Sequence, residues 1–161
     1  TLGCAPRTIL RMSEQPTNPA DVRIAAMDLL SRREHSRREL KQKLTRRFQD
    51  EELIEQQLDR LSEEKLQSDT RYAESFLRQR INRGQGPLRI RQEMRQKGIS
   101  DSEIEMAMAE EQPDWYSLAE ETYHRKFGAL SPEDIKEKAK RSRFMQYRGF
   151  ALDHYQHLLQ D

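Results

Sequence analysis

The sequence of this chain repeats with a period of 50 residues, and this repeat limits its architecture more than any other feature. Residues 36–44 align without gaps with residues 86–94. The same offset pairs Leu40 with Ile90, Ile54 with Ile104, and Leu58 with Met108. A third copy follows at an offset of 51, where Arg148-Gly149-Phe150 corresponds to Lys97-Gly98-Ile99. Repeats of this length are typical of small units that bury their apolar faces by stacking.

Within each repeat, apolar side chains recur every three to four residues, which predicts three short amphipathic helices. The residues that we expect at helix starts are Asp50, Asp69, Pro87, Ser100 and the run Ser131-Pro132-Glu133-Asp134, with a last helix at residues 150–160. Gly98 and Gly149 each follow a middle helix, where a positive φ favours glycine. The aromatic residues at apolar repeat positions, which we expect in the core, are Tyr72, Phe76, Phe144 and Phe150.

The predicted fold is all-α, with tandem three-helix repeats at residues 21–67, 68–112 and 113–161. Because each repeat is too small to hold much core alone, we expect the three to stack into an elongated, curved solenoid. The polar N-terminal segment, residues 1–20, is predicted to be disordered. Within it, we interpret residues 1–11 as an upstream extension or a cloning remnant, since Met12 follows them.

Composition narrows the class of protein further. Charged residues make up 35% of the chain and hydrophobic residues 34%, which indicates a helical protein with thin cores. A disulfide within one chain is excluded because Cys4 is the single cysteine, and this favours a reducing compartment. No apolar run approaches the roughly 20 residues that cross a bilayer. We therefore expect a cytoplasmic protein.

The charges follow the repeat, although the net charge is only +1. Residues 23–47 hold nine basic and three acidic side chains, and residues 50–66 hold two and seven. Residues 71–98 hold eight and two, residues 99–121 none and eight, and residues 125–148 eight and three. Repeats stacked in phase would present a basic face and an acidic face. The alternative is that each charge run is a solvated helix face with local ion pairs.

A set of motifs occurs in order along the chain: Ser36-Arg37-Arg38-Glu39-Leu40, Arg71-Tyr72-Ala73, Gly84-Gln85-Gly86-Pro87, Arg143-Phe144-Met145 and Arg148-Gly149-Phe150. With this set the chain resembles the RecX family of RecA regulators over about residues 21–160. One departure is Ser68-Asp69, where the family commonly has two acids. The resemblance implies a protein that lies in the groove of the RecA filament on single-stranded DNA and inhibits RecA ATPase, recombinase and co-protease activities. Such a protein modulates DNA repair and the SOS response.

Charge and repeat position predict a basic face that meets the RecA filament or its DNA. Its predicted residues are Arg80, Arg83, Arg89 and Arg91 in the second repeat, flanked by Lys43, Arg46, Arg143 and Arg148. The sequence leaves open that Arg33, Arg80 and Arg143 instead pair with Glu39, Glu93 or acids of the third helices. We expect a monomer that has at most weak, non-specific affinity for DNA.

The sequence argues against an enzyme and against a bound cofactor or metal. His154 and His157 have the spacing of two metal ligands on one helix, but no second ligand pair accompanies them. Gly84-Gln85-Gly86 lacks the preceding strand and the third glycine of a dinucleotide loop. Two other binding functions remain open. One is direct DNA reading by a helix-turn-helix-like unit, which the acidic third helices disfavour; the other is a solenoid adaptor for an unrelated protein.

Overall fold

A computed structural model describes residues 16–160. The regular secondary structure in that range is entirely helical. The nine α-helices of this range are α1 (Pro19–Arg32), α2 (Arg37–Arg47), α3 (Glu51–Glu63), α4 (Asp69–Asn82), α5 (Pro87–Gln96), α6 (Asp101–Glu111), α7 (Trp115–Phe127), α8 (Ile135–Arg148) and α9 (Leu152–Tyr155). A short 3₁₀ turn at Gln156–Leu159 follows α9. The all-α prediction is confirmed.

Side-chain caps fix the starts of most helices. Ser36 and Glu39 form a reciprocal capping box at α2. Asp50 and Ser100 accept backbone amide hydrogens at the starts of α3 and α6, as predicted. At α4 the prediction was wrong by one residue, because the cap is the hydroxyl of Ser68. Asp69 is instead the first helical residue, where its carboxylate suits the positive end of the helix dipole.

The N-terminal helix begins earlier than the sequence predicts. The Asn18 side chain accepts the Ala20 amide hydrogen at 3.0 Å, and Pro19 occupies the first helical position. Proline is favoured there because its missing N–H would have no partner in the helix. The end of the segment predicted to be disordered is therefore helical. Residues 1–15, with Cys4 and the predicted extension at residues 1–11, lie outside the described residues.

The third repeat differs from its predicted outline at two points. Its middle helix begins at Ile135, directly after the predicted run Ser131-Pro132-Glu133-Asp134, because the last residue of that run is the cap: Asp134 accepts the Glu137 amide hydrogen at 2.8 Å. The predicted helix at residues 150–160 is only the four-residue α9 followed by the 3₁₀ turn. Its start is delayed because Phe150 still belongs to the end of α8, where its amide donates to the Met145 carbonyl, and because Ala151 has extended backbone angles.

Each repeat has a separate apolar core. The largest buried side chains are Leu40, Leu44, Ile54, Leu58 and Leu61 in the first, Leu77, Ile90, Met94 and Ile104 in the second, and Met145, Phe150 and Tyr155 in the third. Tyr72, Phe76 and Phe150 are buried as predicted, and Phe144 packs at the edge of the third core.

Two compact units make up the chain, one ending at Gln67 and one beginning at Ser68. The first repeat is a unit of its own, whereas the second and third repeats share the other. The curved solenoid of all three stays a prediction. Within residues 16–160, no helix is both long enough and apolar enough to cross a membrane.

Candidate binding surface

Many of the basic and acidic side chains form ion pairs with each other inside a repeat, between its middle helix and its third helix. In the first repeat, Arg37 of α2 reaches Glu55 and Asp59 of α3, each at 2.7 Å, and Lys41 also reaches Glu55 at 2.7 Å. Hydrogen bonds from Lys41 and Arg37 hold the pKa of Glu55 below its ordinary value. These pairs are local, so the basic runs overstate the charge that is available to a partner.

The second repeat has a similar arrangement. Arg91 and Arg95 of α5 pair with Glu105 at 3.1 Å and with Asp101 at 2.9 Å, both on α6. Arg78 of the first helix, α4, also pairs with an acid of α6, Glu111, at 2.7 Å. Arg91 is one of the residues predicted to face a partner. Its guanidinium is half-buried and held by an acid of α6.

Two more of the predicted residues converge on one carboxylate. Oε2 of Glu93 forms an ion pair with Nε of Arg80 at 3.2 Å, and Oε1 of Glu93 accepts a hydrogen bond from Nε of Arg89 at 2.9 Å. The Arg80 guanidinium also lies 4.6 Å from the centre of the Phe76 ring. The structure therefore has the Arg80–Glu93 pairing that the sequence left open as an alternative, and Arg33 likewise pairs with Glu39 at 2.9 Å.

Lys43, another predicted residue, lies against a buried histidine of the first repeat. The Lys43 ammonium is 3.0 Å from Nε2 of His35, and His35 Nδ1 is 3.0 Å from the Arg33 carbonyl oxygen. Because that carbonyl only accepts, Nδ1 carries the proton and Nε2 accepts from Lys43. Burial lowers the pKa of His35 below 6.5, and the positive charges of Arg33 and Lys43 act in the same direction.

This geometry predicts an acid-sensitive first repeat. Below pH 6.5 the unfolded chain protonates His35, whereas the folded chain does so only at its lower pKa. The stabilisation is therefore full above pH 6.5 and is lost as the pH falls toward the folded value. We expect the free energy of unfolding, measured with urea, to fall between pH 7.5 and pH 5.5.

His35→Gln should make this dependence shallower. His124→Gln is the matched control, in which the slope should remain because His35 is still present; His124 is exposed. Equal slopes in the two variants would contradict the assignment.

Three of the predicted residues keep exposed side chains that have no polar partner within residues 16–160. They are Arg46, Arg83 and Arg143. The alternative in which Arg143 pairs with an acid is therefore not present in that range. Arg148 is intermediate, because it donates to the Arg83 carbonyl at 3.1 Å and its guanidinium lies over the Phe144 ring.

The second and third repeats meet through backbone atoms. The Gly86 amide donates to the Arg148 carbonyl at 2.7 Å, and the Leu88 amide donates to the Gly149 carbonyl at 3.0 Å. A Cβ on Gly86 would lie 2.4 Å from the Gly149 backbone, and one on Gly149 would lie 2.3 Å from Cβ of Arg89. This contact, which we call the glycine junction, requires a hydrogen side chain at both positions.

Sequence reasoning identified only part of this junction. Gly98 and Gly149 were predicted to stop helices, and their φ angles of +82° and +97° confirm that role. The close approach of Gly149 to α5 was missed. A signal was present at Gly86, which occupies the N-cap of α5 without a side-chain cap, where Ser, Thr, Asp or Asn is usual.

The glycine junction also forms a cleft of about 420 Å³ between α5 and α8. Its lining includes Leu88, Arg89, Gln92, Gln96, Gln146 and Tyr147. The Arg89 guanidinium lies 4.9 Å from the centre of the Tyr147 ring, which is 73% exposed. Tyr147 was missed as a candidate because the predicted surface rested on charge and repeat position, which do not indicate an exposed aromatic residue.

The two C-terminal histidines are engaged in separate contacts. His157 Nε2 lies 2.9 Å from a Glu120 carboxylate oxygen, and its ring stacks on Tyr116. His154 Nδ1 accepts the Ala151 amide hydrogen at 3.3 Å. In the described part of the chain, no three His, Cys, Asp or Glu side chains are grouped so that they could hold a metal ion.

Comparison with known proteins gives a consistent set of relatives. Models of the first, second and third three-helix domains of RecX match residues 23–61, 68–108 and 112–159. "Regulatory protein RecX" of Pseudomonas entomophila (strain L48) is 47% identical over 142 residues, which cover 88% of this chain and 92% of the relative. The Pseudomonas tolaasii protein of the same name is 49% identical over 138 residues, 86% of this chain and 89% of the relative.

Solved structures agree with the sequence relatives. A crystal structure of regulatory protein RecX aligns with a TM-score of 0.72 at 29% identity, covering 87% of this chain and 72% of that one. RecX from Lactobacillus salivarius aligns with a TM-score of 0.69 at 25% identity, covering 88% and 94%. The three domain models together reach all three repeats.

Proposed function

Because the chain belongs to the RecX family of regulatory proteins, we propose that it binds the filament that RecA forms on single-stranded DNA, in the filament groove, and restrains it. In this proposal the chain acts in the cytoplasm as a monomer. It inhibits RecA ATPase, recombinase and co-protease activities without catalysing a reaction, and thereby modulates DNA repair and the SOS response.

The observation that carries the proposal is the set of exposed arginines that no acid of the described chain neutralises. Arg46 belongs to the first repeat, Arg83 to the second and Arg143 to the third. One cation in each repeat supports binding by several weak contacts that act together on a repetitive, negatively charged partner. Exposed charges of this kind are screened by salt, so the inhibition should weaken as ionic strength rises.

Of the eight residues first predicted for this surface, we propose these three as the principal contacts, with Arg148 beside them. Arg80, Arg89 and Arg91 are held by acids, and reversing their charge would disturb ion pairs within the repeat. A charge reversal at Arg83 and Arg143 tests recognition with little effect on packing.

We expect the chain to inhibit DNA-dependent ATP hydrolysis by RecA at well below one chain per RecA protomer. The double variant Arg83→Glu/Arg143→Glu should need at least ~10-fold more protein for half inhibition, equivalent to ~1.4 kcal/mol. The measurement is the ATPase rate at two salt concentrations.

The matched control is Arg32→Glu/Arg125→Glu, which reverses two exposed arginines that have only surface i,i+4 partners. It should inhibit within about 2-fold of the parent chain, since such surface pairs contribute little. Equal loss in both double variants would assign the effect to net charge. The absence of inhibition by the parent chain, together with tight binding of duplex DNA, would favour the DNA-reading alternative.

A further inference from the structure

One face of α8 has a row of cations that ends in a tyrosine. Lys136, Lys140, Arg143 and Tyr147 follow each other at intervals of three or four residues, so they share one side of the helix. The row spans about 16 Å at 1.5 Å per residue. All four side chains are exposed, and the three cations have no ion pair within residues 16–160. We call these four residues the α8 row.

Few acids lie near the α8 row. At its tyrosine end, Glu93 lines the adjoining cleft and is paired with Arg80 and Arg89. The other acids lie at its N-terminal end. Asp134 caps the helix and Glu137 pairs with Arg141. Glu133 precedes the helix, and no acid occurs between Lys138 and Arg148. In α2 and α5, by contrast, cations such as Arg37 and Arg91 are paired with acids of a neighbouring helix. The row is therefore a linear positive surface that the chain itself does not neutralise.

The tyrosine end of the row is built differently from a simple charged patch. Arg89 covers one face of the Tyr147 ring, and the exposure of the ring leaves its other face open. The adjoining cleft offers the apolar side chain of Leu88 and the amides of Gln92 and Gln146. An open aromatic face beside amide groups is suited to a planar ring with hydrogen-bonding edges, such as a nucleobase.

We propose that the α8 row is a binding site for single-stranded DNA, with phosphates along Lys136, Lys140 and Arg143 and one base stacked on Tyr147. This inference rests on the proposed function and deepens it, because it assigns the third repeat to the DNA strand of the filament. An acidic protein surface would match the cations, but its carboxylates would not stack on the open ring of Tyr147. Duplex DNA would match the phosphates, but its bases are already stacked.

The first test uses the 161-residue chain without RecA and a fluorescent oligo-dT strand, with binding followed by anisotropy at low salt. Base stacking on an aromatic ring predicts that Tyr147→Ala weakens binding by at least about 5-fold, whereas Tyr147→Phe keeps it. Tyr116→Ala, at another exposed tyrosine of the same repeat, should bind as the parent chain does. A strand of abasic sites should show no difference between Tyr147→Ala and the parent.

The second test separates the phosphates from the base. Neutralising the row by Lys136→Gln/Lys140→Gln/Arg143→Gln should reduce the slope of log K against log salt by about 2, since each phosphate contact on a single strand contributes about 0.7. The control Arg32→Gln/Arg60→Gln/Arg125→Gln removes the same charge elsewhere and should leave most of the slope. Circular dichroism checks that all variants are folded.

Three results would overturn the inference. They are no binding of oligo-dT by the parent chain, binding of oligo-dT by Tyr147→Ala that equals that of the parent chain, or binding of duplex DNA that equals binding of oligo-dT and does not depend on Tyr147. The ATPase assay distinguishes this failure from failure of the proposed function. If the parent chain inhibits RecA but Tyr147→Ala binds oligo-dT as the parent does, the proposed DNA site is wrong and the proposed regulation of RecA still stands. Tyrosine-dependent binding of oligo-dT without inhibition of RecA would support the site and overturn the regulator.

Discussion

Gly149→Ala should destabilise the unit at residues 68–161 by about 3–5 kcal/mol. Gly149 has φ +97°, where an alanine costs about 1–2 kcal/mol. The added methyl group would also lie 2.3 Å from Cβ of Arg89, so the repeats must separate. Overpacking adds about 1–3 kcal/mol, and each lost backbone hydrogen bond about 1 kcal/mol. Urea unfolding measures the total.

Two other glycines separate the causes of this loss. Gly86 has an ordinary φ of −86°, so Gly86→Ala tests the close contact alone. Gly128 has φ +74° and open space around it, so Gly128→Ala tests backbone strain alone, at about 1–3 kcal/mol. Hydrogen exchange at the Leu88 amide should accelerate in Gly86→Ala and Gly149→Ala and stay slow in Gly128→Ala. A protected Leu88 amide in all three would contradict the glycine junction.

Arg141→Ala should cost about 3–5 kcal/mol, although arginine is usually a surface residue. Arg141 is only 7% exposed. Its Nη1 donates to the Tyr123 hydroxyl and to the Leu130 carbonyl, both at 2.8 Å, and its Nε donates to Glu137 at 3.1 Å. The guanidinium also lies 5.0 Å from the centre of the Phe127 ring. Removing it leaves polar groups unpaired and a void beside the third core.

The conservative variant defines what the guanidinium contributes. Arg141→Lys keeps the charge but loses the planar group that reaches three acceptors, so it should recover less than half of the loss. Arg125→Ala is the control, since Arg125 is well exposed and its pair with Glu121 is at 3.8 Å. It should change the free energy of unfolding by less than about 0.5 kcal/mol. A near-neutral Arg141→Ala would show that the third repeat does not depend on this residue.

The sequence predicted the helices well where the signal was local. Ser36, Asp50 and Ser100 cap helices because a short polar side chain can reach the amides of the next turn, whatever the rest of the fold. The errors fall where one residue also serves a neighbouring helix. The last helix starts late because the Phe150 amide closes the end of α8, and Gly149 has a second role because α5 lies against it.

The binding surface was harder to predict from the sequence than the fold was. Counting charges cannot tell a paired arginine from an unpaired one, because pairing depends on which side chains face each other across two helices. Arg91 is paired with Glu105 of the next helix, whereas Arg83 and Arg143 form no ion pair in the described range. Tyr147 could not be identified from the sequence either, because only the structure shows that its ring lies outside the core.

Binding of the labelled chain to preassembled RecA filaments tests the central proposal most directly. The filaments are held on single-stranded DNA by a non-hydrolysable ATP analogue, and RecA without DNA, duplex DNA and single-stranded DNA serve as separate comparisons. The proposal predicts saturable binding to the filament that is tighter than binding to any of the three and that weakens with salt. Binding to duplex DNA that equals or exceeds binding to the filament would contradict it.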